Sequence, residues 1–406
     1  MSGTGPLTGV KVLDMTQFEA GTVCTETLAW MGAEVWKVER PVTGEQGRYS
    51  FVSPDKDGFG FILLNLNKDS ITCNAKTPEG LQLLKRLAAE ADVFVENMSP
   101  GSVERLGLGY DVLKELNPRL IYAQMKGFGM DGPYADYPAF APIGQSTGGV
   151  PAMTGFPDGI PCQPGVNVGD SGMGYMTAMS ICAALFQREH TGQGQHIEVD
   201  MQDTCVCFGR ANWEPYYFAG GKVPLRAGNG MPMENVAPAG MYPCKPFGYN
   251  DYVHIYCSRH PGSKQFEHLA KIIGHEELLA DPRMKTPQER YLVRDELDRL
   301  ISEWTGQHTK QEAMDILCKA DIPAGAVLDM DDLTKDPYLR SRGTMAEIDH
   351  PERGKIVVPG FAPKMSGNDL QYECSPRLGE HNQKIYGELL GLSEEEMEAL
   401  KDKGVI

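Results

Sequence analysis

The stretch from Pro164 to Gly174 has the residue types needed for nucleophilic chemistry. It reads P-G-V-N-V-G-D-S-G-M-G, so a single acid, Asp170, lies among glycines, and a helix-like run over Tyr175–His190 follows. If a helix does follow, its unpaired backbone N–H groups favour a negative charge at this end. Such a carboxylate stays ionised and open to attack an electrophile. Taken alone, the pattern is more typical of an acidic N-cap on an ordinary helix, because Asp is a preferred capping residue, and the rest of the chain reverses this preference.

Strand and helix patterns alternate on both sides of this stretch. Short β-prone runs at 10–15, 34–39, 70–73, 93–97, 120–125 and 197–201 are separated by helical patterns that include 24–31, 78–91 and 112–116. This alternation predicts a doubly wound α/β domain with a parallel sheet. Ligands bind outside the carboxyl ends of such strands, where Asn97, Lys126 and the Phe18–Glu19 turn fall. Lys126 either caps a strand end or reaches a phosphate.

The loop after the first strand contains no G-x-G-x-x-G sequence. Because that glycine pattern holds the pyrophosphate of a dinucleotide against a helix N-terminus, its absence argues against a nicotinamide-dependent dehydrogenase.

The composition changes after the predicted α/β region. A stretch rich in Gly, Pro, Met and Asn over 224–243 is typical of a linker and mobile loop. Strand patterns at 252–257, 323–328 and 355–359, with helical patterns at 263–273, 289–303, 309–320, 380–390 and 393–403, follow it. We therefore predict a large Rossmann-like α/β domain over 1–204 completed by about 340–406, a linker with a glycine-containing loop over 205–240, and a smaller α+β domain over 241–339.

The bulk composition excludes several classes of protein. The 406 residues are 41% hydrophobic and 23% charged, which is typical of a soluble globular chain. The net charge of −17 argues against a nucleic-acid partner, so an anionic ligand would need a local basic cluster. We see neither a membrane-length apolar run nor a secretory signal. Ten dispersed cysteines without a zinc spacing predict reduced thiols, a cytoplasmic location and no metal site.

Seven short runs carry a resemblance to a known family. They are G-A-E-V-W-K-V-E-R-P (32–41), V-E-N-M-S-P-G (95–101), N-P-R-L-I-Y (117–122), K-G-F-G-M-D-G-P-Y (126–134), G-D-S-G-M-G (169–174), R-E-H-T-G-Q-G-Q (188–195) and L-G-E-H (378–381). In their order and spacing, from about residue 7 to 395, the chain resembles the class III CoA-transferases, which include formyl-CoA transferase and the carnitine CoA-transferases. The resemblance implies an enzyme that uses coenzyme A as acyl-CoA and a small carboxylic acid. It also implies two identical or related chains threaded through one another as an interlocked dimer.

The resemblance also implies roles for individual residues. Asp170 stands where the family places the aspartate that attacks the donor thioester and carries CoA through mixed anhydrides and an aspartyl-CoA thioester. Glu19, Gly228 and Gly230 complete the catalytic set, with the N–H groups of the Phe18–Ala20 turn and of the 227–230 loop as candidate oxyanion donors. The positions that match the family's CoA contacts are Phe18, Ala20, Arg40, Asn74, Lys76, Asn97, Met98 and Arg105.

Two departures from the family pattern bear on the substrate. Formate-using members carry a glutamine in the first turn, where this chain has Glu19, and a second carboxylate near the nucleophile would raise its pKa. Those members also carry charged residues around an aromatic after K-G-F, where this chain has Pro138-Ala139-Phe140-Ala141. The uncharged wall predicts an acid larger or more apolar than formate or oxalate, such as a 2-hydroxy, aryl-succinate or carnitine-like acid.

Two alternative functions follow from the same residues. The α-methylacyl-CoA racemases belong to the same superfamily, but they carry a His-Asp step soon after K-G-F-G, where this chain reads Ala139-Phe140-Ala141. A non-catalytic CoA-binding partner subunit is the alternative from another class. Such a subunit has no need of the nucleophile, and Asp170 is present.

Overall fold

The fold comes from a computed structural model that describes residues 4–49, 57–223, 226–231, 235–257 and 262–406. The chain divides into two compact units. The first comprises Met1–Val150, Gln163–Phe208 and Pro337–Ile406, and the second comprises Pro151–Cys162 and Gly209–Asp336. Pro151–Cys162 therefore groups with the second unit, whereas the sequence analysis assigned it to the large domain.

A six-stranded parallel sheet forms the centre of the first unit. Its strands are β1 (Lys11–Met15), β2 (Glu34–Glu39), β3 (Asp69–Thr72), β4 (Val93–Glu96), β5 (Ile121–Lys126) and β6 (Gln195–Asp200), in the order β3-β2-β1-β4-β5-β6. Each neighbouring pair is parallel. The predicted α/β class is confirmed. The chain order reverses between β1 and β4, and ligands of open parallel sheets bind at such a reversal.

Side chains from successive strand residues build a separate core on each face of the sheet. Leu13 and Phe94 point into one core with the C-terminal Tyr386, whereas Val12 and Val95 point into the other. This alternation is the two-residue period of a β-strand. Since both faces are covered, the inner strands β1, β4 and β5 are buried almost throughout, whereas the edge strand β6 is only half-buried.

Seventeen α-helices are present in the described ranges. They are α1 (Ala20–Trp30), α2 (Phe59–Ile62), α3 (Pro78–Glu90), α4 (Ser102–Arg105), α5 (Tyr110–Leu116), α6 (Ala141–Thr147), α7 (Val150–Met153), α8 (Val168–Thr191), α9 (Met201–Phe208), α10 (Trp213–Phe218), α11 (Gln265–Ile272), α12 (Pro287–Leu292), α13 (Arg294–Thr305), α14 (Lys310–Lys319), α15 (Met330–Lys335), α16 (Pro337–Ser341) and α17 (Glu394–Asp402). None of them has the length and apolar character required to cross a membrane.

The remaining strands form two antiparallel sheets. In the second unit, β7 (Ala239–Pro243), β8 (Tyr252–Tyr256) and β9 (Ala324–Ala326) form a three-stranded sheet with its own core. In the first unit, β10 (Met345–His350) pairs with β11 (Gly354–Pro359) and packs against α1 through Trp30.

Several predicted elements differ from those in the structure. The predicted linker over 224–243 was wrong at its end, because Ala239–Pro243 pairs with β8 as a strand. Residues 224, 225 and 232–234 of that linker lie outside the described residues. The predicted helix over 289–303 is two helices, since Val293 leaves the helical conformation. The predicted helix over 380–390 is a π-helix, Gln383–Leu389.

Candidate active site

The turn between β1 and α1 lies at the reversal of the strand order and is held from both sides. Asn97, which follows β4, accepts from the Gln17 N–H at 2.9 Å and donates to the Gln17 carbonyl at 2.8 Å. A carboxylate oxygen of Glu45 accepts from the Phe18 N–H at 3.0 Å. Phe18 has a φ of 59°, a conformation that costs energy for a residue with a side chain. These hydrogen bonds fix the turn in that conformation.

A network of buried charges lies beneath this turn. The ammonium of Lys37, from the middle of β2, donates to the Thr16 carbonyl at 2.6 Å and lies 3.9 Å from carboxylate oxygens of both Asp14 and Glu45. The Lys68 ammonium lies 3.2 Å from the other carboxylate oxygen of Asp14. Burial would raise the pKa of Asp14, but the two ammonium groups and its hydrogen bonds lower that pKa to about 2. The network therefore carries opposite charges in close contact.

The Glu19 side chain joins the start of α1 to the start of α8. Its carboxylate accepts from the Asn167 side-chain amide at 2.5 Å and from the Ser171 hydroxyl at 2.7 Å. Both partners flank Asp170, which lies in the first turn of α8. The structure thus brings two of the predicted catalytic residues, Asp170 and Glu19, into one region at the carboxyl edge of the sheet.

The Asp170 carboxyl is not fully ionised at neutral pH. Burial raises its pKa from 3.8, the negative charge of Glu19 raises it further, and the result is about 7. The expectation that the helix N-terminus keeps this carboxylate ionised was therefore wrong, because burial and Glu19 outweigh the helix. The expectation that Glu19 raises the pKa agrees with the structure.

The glycines around Asp170 serve helix packing. A Cβ atom on Gly172 would lie 2.4 Å from the ring of Phe208, and one on Gly174 would lie 2.7 Å from the Ala20 carbonyl oxygen. Real Cβ atoms do not approach other atoms so closely, so the contact of α8 with the backbone of α1 requires glycine at 174, and a side chain at 172 would displace the ring of Phe208. The small side chains near the nucleophile are explained by these contacts.

The candidate coenzyme A contacts follow the ends of four adjacent strands. Phe18 and Ala20 follow β1, Arg40 follows β2, Asn74 and Lys76 follow β3, and Asn97, Met98 and Arg105 follow β4. Because these strands are neighbours in the sheet, all eight residues lie along one edge. The side chains of Arg40, Lys76 and Arg105 are exposed. Arg105 also donates to the Ser102 hydroxyl at 3.1 Å.

Lys126 caps the end of a strand. Its buried ammonium donates to both carboxylate oxygens of Glu96, at 2.6 and 2.8 Å, and to the Met98 carbonyl at 2.7 Å. Three acceptors from the protein occupy this ammonium, so the phosphate interpretation does not fit. The pair instead fixes the backbone of Met98, whose N–H donates to Glu96 at 2.7 Å.

Asn74 is held by a distant part of the chain. Its N–H donates to the Val405 carbonyl at 2.7 Å, and its side-chain oxygen accepts from the Lys76 N–H at 3.2 Å. The neighbouring strand β3 is fixed in the same way, because the Thr72 N–H donates to the Asn382 side chain at 2.9 Å. The C-terminal segment therefore positions the β3 side of the edge.

Gly228 and Gly230 lie in the second unit, where their N–H groups already have acceptors. Gly228, with a φ of 59°, donates to the Gly155 carbonyl at 3.0 Å, and Gly230 donates to the Ala227 carbonyl at 3.0 Å. The prediction that these two N–H groups act as oxyanion donors therefore does not match this conformation of the loop.

The turn after β1 contains two candidate donors that are not engaged by acceptors. The N–H groups of Gln17 and Phe18 are paired with Asn97 and Glu45. In the described part of the chain, no acceptor pairs with the N–H groups of Glu19 and Ala20. These two groups are the turn's available hydrogen-bond donors.

An aromatic pair lies beside the turn. The Phe140 ring is 68% exposed and meets the Phe18 ring edge to face, with 6.3 Å between centroids. Both rings present apolar surface, and the neighbouring Ala139 and Ala141 carry no charge. The uncharged wall described from the sequence thus lies next to the β1–α1 turn.

Sequence reasoning missed five residues that hold this region together. They are Lys37, Glu45, Gln145, Asn167 and Ser171. Lys37 left a signal, because a lysine inside a buried apolar strand needs a charged partner. The others contact the site only through the folded chain, so their positions in the sequence gave no comparable signal.

Known proteins resemble the chain along nearly its full length. The sequence profile described as CoA-transferase family III matches residues 7–382. A formyl-CoA:oxalate CoA-transferase from Streptomyces avermitilis is 39% identical, with 99% of this chain and 100% of that protein aligned. One from Rhodopseudomonas palustris is 38% identical, with 99% and 98% aligned. The crystal structure of a CAIB/BAIF family protein from Brucella suis matches with a TM-score of 0.84 and 34% identity, covering 95% of this chain and 100% of that one. This chain is a member of CoA-transferase family III.

Proposed function

We propose that this class III CoA-transferase moves CoA from an acyl-CoA to a carboxylic acid through a covalent aspartyl-CoA thioester on Asp170. The observation that carries the proposal is the setting of the Asp170 carboxyl. It lies in the first turn of α8 and is influenced by Glu19, and its pKa is about 7. A partly desolvated carboxylate of raised pKa is a better nucleophile than an exposed one.

The proposed reaction consists of four acyl substitutions. The Asp170 carboxylate attacks the donor thioester carbonyl, which forms a mixed anhydride and expels CoA thiolate. The thiolate attacks the aspartyl carbonyl of that anhydride, which forms aspartyl-CoA and releases the donor acid. The acceptor carboxylate then attacks aspartyl-CoA, which forms a second anhydride and expels the thiolate again. Attack of the thiolate on the acceptor carbonyl yields the new acyl-CoA and regenerates Asp170.

Each step develops negative charge on a carbonyl oxygen, and the β1–α1 turn offers donors for it. The N–H groups of Glu19 and Ala20 are free of acceptors in the described part of the chain, and the hydrogen bonds at Gln17 and Phe18 fix their direction. Pre-oriented donors of this kind are among the strongest contributions to acyl transfer.

The exposed cations at the sheet edge suit the phosphates of CoA. Arg40 follows β2, Lys76 follows β3 and Arg105 follows β4, which are three of the four adjacent strands β3-β2-β1-β4. They supply local positive charge in a chain whose net charge is −17. Guanidinium groups bind phosphate oxygens through paired hydrogen bonds. We propose that these residues, with Asn74, Asn97 and the Met98 backbone, hold the nucleotide end of CoA in a cytoplasmic, interlocked dimer.

We propose an acceptor acid larger or more apolar than formate or oxalate. The relatives at 38–39% identity are named for formyl-CoA and oxalate. The uncharged Phe140 wall beside Phe18 favours a more apolar acid in this chain. Comparison of oxalate with 2-hydroxy and aryl-substituted acids as acceptors tests this directly, and a preference for oxalate would contradict it.

Mass spectrometry of the trapped intermediate tests the central proposal. The protein is incubated with succinyl-CoA, acetyl-CoA or formyl-CoA, treated with hydroxylamine and digested. We expect a hydroxamate confined to the peptide that contains Asp170, absent in Asp170→Asn and present in the matched control Asp203→Asn, which changes an exposed acid on α9. No adduct with any donor, together with deuterium exchange at the α-carbon of a branched acyl-CoA, would indicate the racemase instead.

A further inference from the structure

A cavity of about 340 Å³ in the first unit adjoins the region of Asp170. Its walls come from one face of α1, the start of α8, the segment around α2 and the end of β11. The wall residues used below are Glu19, Glu26, Trp30, Leu63, Ser171 and Tyr175. A cavity of this size is at the lower end of the range for small-molecule sites.

The cavity extends away from the nucleophile along α1. Glu19, Glu26 and Trp30 are spaced by seven and four residues, so they lie on one face of the helix. At 1.5 Å per residue, the distance from Glu19 to Trp30 along the axis is about 16 Å. Glu19 is also the residue whose charge acts on Asp170, and Ser171 is the next residue of α8. One end of the cavity is therefore beside the proposed reaction centre.

Glu26 gives the far part of the cavity a polar group without a full set of partners. Its side chain is 3% exposed, and one carboxyl oxygen accepts from the Leu66 N–H at 2.8 Å. The other oxygen has no hydrogen-bond partner among the described residues. Burial, only partly offset by Lys68, raises the pKa of Glu26 to about 8, so at neutral pH this carboxyl is mainly protonated and has an O–H to donate.

The rest of the lining selects against charge. Leu63, Trp30 and the ring of Tyr175 are apolar, and Glu19 places a carboxylate near the nucleophile end. A second carboxylate on a bound acid would lose its water and meet that negative charge, which is costly. An uncharged substrate tail that carries a hydroxyl or carbonyl oxygen meets neither penalty.

We propose that this cavity holds the uncharged, largely apolar tail of the acid that exchanges CoA at Asp170, with Glu26 donating a hydrogen bond to a hydroxyl or carbonyl oxygen on that tail. The inference rests on the proposed function. It assigns the substrate class as monocarboxylic acids with an apolar chain, and it makes Glu26 and Leu63 determinants of specificity.

Filling the cavity provides the test. Leu63→Trp adds a large side chain to the wall, and Leu116→Trp makes the same change at an exposed leucine of α5, 47% exposed, outside the cavity. The kcat/KM of CoA transfer is measured for straight-chain acids from acetate to octanoate and for dicarboxylates of equal length. We expect the wild type to prefer longer monocarboxylates, and Leu63→Trp to reduce the octanoate-to-acetate ratio about tenfold or more, as a lost hydrophobic pocket predicts. Leu116→Trp should keep the wild-type ratio.

The readouts separate this inference from the proposed function. If the Asp170 adduct forms but Leu63→Trp leaves the ratio unchanged, or if dicarboxylates are preferred, the cavity assignment is overturned and the transfer mechanism stands. If no adduct forms, octanoate binding by calorimetry to wild type but not to Leu63→Trp still supports the cavity assignment. Partner side chains filling the cavity in a crystal structure of a dimer would overturn it.

Discussion

At the scale of single residues, the site depends on two acids that share a small region. Glu19 is held by Asn167 and Ser171, and its charge adds to the effect of burial on Asp170. The protonated form of Asp170 is not a nucleophile. If Asp170 is the nucleophile as proposed, activity should depend on pH near neutrality, and burial together with the charge of Glu19 sets the pH at which activity rises.

The pH profile tests this coupling. We expect kcat/KM of the wild type to rise with pH through about 7, the pKa of Asp170. Glu19→Gln keeps acceptor oxygen for Ser171 and removes the charge, so the inflection should move down by about one unit. Initial rates between pH 5 and 9 measure it. Glu198→Gln, at an exposed glutamate of β6, is the control, and an unmoved inflection in Glu19→Gln would contradict the coupling.

Arg105 allows a second test at the residue scale. Removal of its exposed guanidinium should raise the KM for acyl-CoA about tenfold at low salt, because one charge-assisted contact to phosphate is lost. The penalty should shrink as ionic strength increases, since salt screens the contact. Arg299→Ala, which removes an exposed arginine paired with Glu303 in the second unit, should leave KM unchanged. Equal KM values for Arg105→Ala and wild type would remove Arg105 from the site.

At the scale of elements, the site depends on how α1 lies against α8. All eleven residues of α1 are buried, so the helix is enclosed by its packing neighbours and, on the Glu26–Trp30 face, by the walls of the cavity. Gly174 lets the two helices approach where Glu19 reaches across to α8. The hydrogen bonds from Asn167 and Ser171 to Glu19 form where α1 and α8 pack together. The orientation of Asp170, which lies between these two residues in the chain, therefore depends on the same packing.

A single added methyl group tests the helix crossing. Gly174→Ala places a Cβ 2.7 Å from the Ala20 carbonyl, so we expect a loss of about 1–3 kcal/mol of stability despite the better helix propensity of alanine. Urea unfolding measures it. Gly367→Ala, where no atom lies within 4 Å of the added Cβ, is the matched control. Stability equal to the wild type in Gly174→Ala would show that the helices can separate freely.

At the scale of the whole molecule, buried carboxyls give stability an unusual dependence on pH. Asp14 has a lowered pKa of about 2, so its contribution is present above 3.8 and is lost as pH falls through 2. Glu26 has a raised pKa of about 8, so its contribution is present below 4.5 and is lost as pH rises through 8. Asp170 also has a raised pKa, so its contribution to stability is present below 3.8 and is lost as pH rises through about 7.

Stability should therefore be greatest in mildly acid solution and fall between about pH 5 and 8. Glu26→Gln keeps the acceptor for the Leu66 N–H and cannot ionise, so it should melt at a higher temperature than wild type at pH 8, with the difference shrinking towards pH 5. Melting curves at several pH values measure this. If the difference in melting temperature between Glu26→Gln and wild type does not vary with pH, Glu26 does not change its protonation state in the folded protein between pH 5 and 8, which would contradict this prediction.

Much of the large unit was predictable, because short β-prone runs alternate with helical patterns along it, which is the signature of a parallel sheet covered by helices. The start of α8 was not, since Gly169, Gly172 and Gly174 lower its helix propensity, and only the packing of the folded chain explains them: α9 lies against the first two and α1 against the third. The place of Asn97 followed from the rule that ligands bind at the carboxyl ends of parallel strands, and that of Arg40 from the family resemblance. Glu45, by contrast, acts through a hydrogen bond to Phe18 that no local pattern encodes.

The C-terminal segment that fixes β3 has a consequence for biosynthesis. Thr72 and its partner Asn382 are 310 residues apart, and the second unit lies between them in the chain. At ribosomal rates of about 5–20 residues per second, strand β3 waits tens of seconds for that partner. During this time the nascent chain exposes the β3 edge of its central sheet. We therefore expect chaperones to bind the nascent chain at this edge until residue 382 has emerged from the ribosome.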